Sequence, residues 1–162
     1  MLAGGVACKS QAEAAPSPSA ERSVSTPPAS PPAAPGGKLR LVEAPDGNVE
    51  SVVRDALAAA RAAGRTLVVY VGATWCEPCQ HFHQAAARGD LDAAFPRMTL
   101  LEFDLDRDRE RLAAAGYVSK YIPLFALPGP DGAASGKHIE GGIKGDGAVA
   151  NLSGRLEEML SE

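Results

Sequence analysis

The stretch Thr74-Trp75-Cys76-Glu77-Pro78-Cys79 constrains this chain more than any other. Two cysteines stand three positions apart, directly after the apolar run Leu67-Val68-Val69-Tyr70-Val71. That run is short and rich in branched residues, with Gly64 before it and Gly72 at its end, and reads as a buried strand. The residues after Cys79 read as a helix. A cysteine at a helix N-terminus faces unpaired backbone N–H groups and the positive end of the dipole. Both favour the thiolate and lower its pKa from about 8.5 into a range of roughly 3.5–7.5. Pro78 falls early in the helix, where a missing N–H costs least. A Cys-x-x-Cys can also be half of a zinc site, but the chain has no second cysteine pair to complete one.

Organisation along the chain supports a single domain behind a long tail. Lys9 to Gly37 is built of Ala, Pro, Ser, Glu and Thr with almost no large apolar residue. Such a segment cannot bury enough surface to offset its ordering entropy and reads as a disordered linker. Fully extended, it would reach about 90 Å. The expected division is therefore a tail over 1–37 and a folded domain over 38–162. Within the domain, Lys38 to Val42 alternates as a first edge strand. Asn48 caps a helix carrying Val49, Val52, Val53, Leu57 and Ala60, and Gly64 ends it. Arg88-Gly89 stops the helix after the cysteines, and Asp90 is a candidate cap for one short turn before Pro96. Met98 to Asp104 reads as a second buried strand, and Asp106-Arg107-Asp108 opens a helix with acids in its first turn. Tyr121 to Leu127 is a strand with Pro123 at its start. Lys137 to Glu140 is a last edge strand, and Val149, Leu152, Leu156, Met159 and Leu160 mark an amphipathic final helix.

Strand, Trp-Cys-Glu-Pro-Cys, helix, and the order β-α-β-α-β-α-β-β-α resemble the thioredoxin family, whose usual pentapeptide has Gly where this chain has Glu77. The resemblance runs from about Lys38 to the C-terminus. It implies an α/β thioredoxin-like fold, with a central mixed sheet and helices on both faces, and a thiol–disulfide oxidoreductase that needs no cofactor beyond its own Cys76–Cys79 disulfide. Cys76 is the expected nucleophile and the more exposed thiol, and Cys79 the resolving thiol. The family further implies that Ile122–Pro123 is a cis bond packed against Cys76, with the backbone of Ile122 pairing an extended substrate.

The neighbours of the pair carry competing readings. Trp75 either covers the nucleophile and lines a groove or is a core tryptophan; an indole can do both. Glu77 either raises the thiolate's pKa and favours reducing behaviour or is a solvated charge. The family commonly has a buried Asp six residues before the first cysteine; this chain has Tyr70. Glu102 is a candidate replacement from the neighbouring strand, and its plain alternative is a surface residue. His81 and His83 follow the pair, but positions two apart on a helix diverge by about 200° and do not face one ion.

Function classes narrow accordingly. A net charge of −4 argues against nucleic acid. Met1 to Cys8 resembles the last part of a bacterial lipoprotein signal: Val6 and Ala7 suit it, Gly5 does not, and the charged and apolar parts of such a signal would lie upstream. On that reading Cys8 is a lipid anchor, the tail is a tether, and the domain is a monomeric reductase of protein disulfides in the periplasm or cell envelope, fed by an upstream dithiol donor. The other readings are a copper or metal-thiol chaperone using Cys76 and Cys79 with or without His83, a redox-inert peptide-binding module, and a cytoplasmic location with Cys8 incidental.

Overall fold

The computed structural model describes residues 37–162, so Cys8 and the tail up to residue 36 lie outside the described residues. Five strands and four helices alternate as β1 (Arg40–Glu43), α1 (Val49–Ala62), β2 (Thr66–Gly72), α2 (Glu77–Arg88), β3 (Met98–Asp104), α3 (Leu105–Ala114), β4 (Leu124–Pro128), β5 (Ala134–Glu140) and α4 (Ala148–Ser161). The sheet order is β1-β3-β2-β4-β5, with β1, β3 and β2 parallel and β4 and β5 antiparallel to their neighbours. This is the expected thioredoxin-like α/β architecture.

The apolar run of β2 is continuous because the strand is central and covered on both faces. Leu67, Val69 and Val71 meet α1 and α3 through Val53, Leu57 and Leu112. Val68 and Tyr70 point the other way and meet α2 and α4 through Phe82, Leu152 and Leu156. Phe82 forms an edge contact with Phe125 at 4.8 Å between ring centroids, and Tyr70 lies 5.0 Å from the same ring. The alternation of β3 works likewise: Leu101 and Phe103 join the first face, Leu100 the second. Glu102 therefore looks toward α2.

Helix boundaries follow local chemistry. The Asn48 side chain accepts a hydrogen bond from the Ser51 N–H at 2.9 Å, and Gly89 ends α2 in the left-handed region at φ 84°. Where α1 returns to β2, Arg65 donates to Thr99 Oγ1 at 2.9 Å and to the Lys38 carbonyl at 2.6 Å, tying the entry of the domain to the sheet.

One local expectation is corrected, the cap at Asp90: its carboxylate takes the Arg88 guanidinium at 2.7 Å, while residues 90–94 form turns before Pro96 as expected. The cap of α3, for which the sequence singled out no residue, is Asp104; its Oδ1 accepts from the N–H groups of Asp106 and Arg107. Asp106 and Asp108 thus occupy the first turn, and Asp108 is buried.

Candidate active site

The loop from β2 to α2 puts Cys76 at the mouth of a helix. Its backbone is extended, at φ −83° and ψ 105°, and it takes the N-cap position. Its Sγ accepts a hydrogen bond from the Cys79 N–H at 3.3 Å, the contact that a capping oxygen would otherwise make. Pro78 lies in the first turn, where its missing N–H has no partner to lose. The two sulfurs are joined, with Cα atoms 5.2 Å apart. In this oxidised state Cys76 is 5% and Cys79 3% exposed, so the two differ little and Cys76 does not stand out as the exposed one.

Ala73, Leu105 and Ile122 pack around the pair. The Ile122–Pro123 bond is cis. The loop before it is held by Glu140 of β5, whose carboxylate accepts from the Lys120 N–H at 2.7 Å. Trp75 is no core residue: it is 62% exposed, and its indole N–H donates to Asp106 Oδ2 at 2.8 Å in the first turn of α3. Tyr121 and Ile143 are also exposed apolar side chains. The 141–147 segment lies against α2, since a Cβ on Gly142 would stand 3.4 Å from Pro78.

Glu77 is not a purely solvated charge. Its Oε1 accepts from the Gly145 N–H at 2.9 Å and stands 4.0 Å from His81 Nε2. His83 faces elsewhere, with Nε2 3.4 Å from Glu102 Oε2. The two histidines thus meet different carboxylates, as helical spacing predicts, and no group of three metal-ligating side chains forms among the described residues. Tyr70 is buried at the expected position, and its O–H donates to the Cys79 carbonyl at 3.4 Å. Burial, and then the charge of Glu102 beside it in the sheet, push its phenol above the usual tyrosine range. It therefore stays protonated and acts as a donor.

A cavity of about 510 Å³ opens beside this arrangement, with Tyr70, Cys79, His83, Glu102 and Arg107 on its walls. Neither the cavity nor the Asp106 contact to Trp75 was readable in the sequence. Both join elements remote in the chain, although the acids after Asp104 marked where a partner for the indole could come from.

A family model described as thioredoxin-like matches residues 48–130. No curated protein matches the chain. Among solved structures, the thioredoxin of Fasciola hepatica is 20% identical, with 75% of this chain and 97% of that one covered at a TM-score of 0.49. Trichomonas vaginalis thioredoxin is 19% identical, with 75% and 96% covered at 0.48. Thioredoxin O1 of Arabidopsis thaliana in its oxidised state is 20% identical, with 75% and 97% covered at 0.45. The family match spans just over half of the 162 residues and contains the Cys76–Cys79 disulfide; the chain belongs to the thioredoxin-like family, as a thiol–disulfide oxidoreductase.

Proposed function

We propose that this protein reduces disulfides of other proteins, with Cys76 as nucleophile and Cys79 as resolving thiol. The carrying observation is the position of Cys76 at the mouth of α2 with its Sγ on the Cys79 N–H. Once the pair is reduced, that N–H and the helix dipole stabilise a Cys76 thiolate. The thiolate attacks one sulfur of a substrate disulfide, and the other leaves as a thiolate that takes a proton from water. Cys79 then attacks Cys76 Sγ, the internal disulfide closes, and the second substrate sulfur is released. Two electrons pass from the pair to the substrate, and an upstream dithiol protein restores them.

Trp75, Tyr121 and Ile143 supply exposed apolar surface in the segments around the pair. Trp75, with the backbone at Ile122–Pro123, would grip an extended peptide there. Glu77 carries a negative charge beside the thiolate, which disfavours it and leans the couple toward reduction. Envelope location and tethering by Cys8 complete the proposal. Their support is the composition of the tail and the small residues before Cys8.

Insulin reduction with a thiol donor tests the activity. Wild type should turn over, Cys76→Ser should be inert, and Cys79→Ser should stall as a mixed disulfide identifiable by mass. Trapping through Cys79 in Cys76→Ser with equal efficiency would reverse the assignment of roles. Location is tested by membrane fractionation of the native chain against Cys8→Ser, where loss of retention in the variant is the expected result.

A further inference from the structure

Closing the internal disulfide requires Cys79 as a thiolate, yet Cys79 is 3% exposed and packed with Ala73, Leu105 and Ile122. Burial of this kind disfavours the charged form of sulfur. The helix mouth that serves Cys76 is already occupied by it, since Cys76 takes the Cys79 N–H. Cys79 therefore needs a separate place to put its proton.

The cavity of about 510 Å³ provides one. Cys79 lines it, whereas Trp75, Cys76, Ile122 and Pro123 do not. A base within it would serve the resolving thiol and leave the nucleophile untouched. His83 lies one helical turn after Cys79 on α2, and Glu102 reaches the same wall from β3, with 3.4 Å between Nε2 and Oε2. Their side chains are 45% and 28% exposed, so water reaches both.

The other charged or titratable groups around the cavity are committed elsewhere. Arg107 of α3 pairs with Glu43 of β1 at 3.1 Å and with Asp108 at 2.9 Å. Asp104 at the end of β3 spends its carboxylate on the α3 N-terminus. Tyr70 of β2 donates to the Cys79 carbonyl.

We propose that His83, oriented by Glu102, accepts the Cys79 proton across this cavity when the mixed disulfide is resolved. The inference rests on the pair working by thiol–disulfide exchange. In the step, the Cys79 S–H proton passes through cavity water to the imidazole. The Cys79 thiolate attacks Cys76 Sγ, the bond from Cys76 to the substrate sulfur breaks, and that sulfur leaves with the electron pair. The imidazolium returns its proton to solvent. Glu102 is a positioning residue that fixes the ring through the 3.4 Å contact from its Oε2 to Nε2.

The test uses the reduced full chain and dithiobis(nitrobenzoate), which reports each step as a release of coloured thiolate. The first phase is attack by Cys76, and the second is closure by Cys79, first order and independent of reagent. Positioned proton transfer contributes about 10²–10⁴-fold in rate; across water, His83→Gln and Glu102→Gln should each slow the second phase at least tenfold near neutral pH. The first phase should not change, and the deficit should shrink as pH rises and the thiol ionises unaided. A second phase with wild-type rate and pH profile in both variants would overturn the proposal, as would equal slowing of both phases. No protein substrate is involved, so failure to reduce insulin would count against the functional reading alone.

Discussion

Asp108→Asn should destabilise the domain by about 2–3 kcal/mol, and the size follows from what the carboxylate holds. Asp108 is 1% exposed and accepts hydrogen bonds from the Asp104 N–H at 3.0 Å, from Arg107 Nε and Nη2 at 2.9 and 3.2 Å, and from Arg111 Nε and Nη2 at 3.0 and 2.9 Å. Burial alone would raise its pKa, but the donors from Arg107, Arg111 and the Asp104 backbone together outweigh it and hold the carboxyl below the usual range. Asn keeps the shape, loses the charge and turns one acceptor into a donor facing other donors. A hydrogen bond to a charged group is worth about 1.5–3 kcal/mol, and an unmet buried group costs about 1–3. Stranding a buried ion costs about 3–5 kcal/mol. That limit is not reached here, because the Arg107 and Arg111 side chains are 45% and 20% exposed and regain water.

Thermal unfolding followed by circular dichroism should show Tm lowered by roughly 10 °C for a domain of this size. The native carboxyl has a depressed pKa, so its stabilisation is fully present above the unfolded value of about 3.9 and is lost as pH falls through the native value. The gap between wild type and variant should be constant from neutral pH down to about 4 and close in stronger acid. A loss under about 0.5 kcal/mol at neutral pH, the range of an ordinary surface change, would refute the reasoning. So would a gap that persists in strong acid.

Other expectations follow from the packing. Trp75→Ala should leave stability within about 0.5 kcal/mol, because the ring is 62% exposed, and should raise KM for protein disulfides more than it lowers kcat; Asp106→Asn should do the same more weakly by loosening the indole. Phe82→Ala empties a fully buried site against Phe125 and should cost about 3–5 kcal/mol, read by urea unfolding. A chain beginning at Lys38 should melt within a degree or two of the full chain and reduce small disulfides equally well, since Arg65 already ties the Lys38 carbonyl to the sheet; a clear loss of stability would show that the tail packs on the domain.

The parts that were legible are those where local chemistry and tertiary packing ask for the same residues. β2 announces itself because a strand covered on both faces is apolar at every position, and α2 because Cys76, Pro78 and Gly89 each suit one place on a helix. The start of α3 was ambiguous: Asp104, Asp106 and Asp108 are all good capping residues, and only the turn of the chain out of β3 selects the first. Burial of Asp108 was hidden for a related reason. Its arginine partners lie one and three residues away in sequence, but the same spacing occurs on solvated helix faces. His83 and Glu102 are 19 residues apart, and only the alternation of β3 turns Glu102 toward α2. Trp75 could not be placed from sequence, because an indole beside a cysteine is equally plausible packed inward or held at the surface by a carboxylate from another helix.

Glu77 joins two properties that would otherwise vary separately. The residue lies between the cysteines, where its charge bears on the sulfur, and its carboxylate also takes the Gly145 N–H of the segment leading into α4. Replacing it to retune the couple therefore also unfastens that segment, which carries the exposed Ile143. A library of Cys-x-x-Cys dipeptides grafted into this chain would not sample redox potential alone. Each change at position 77 would alter electron affinity and groove shape together, and a loss of turnover could not be assigned to the potential until binding of a redox-inert peptide had been measured in the same variant.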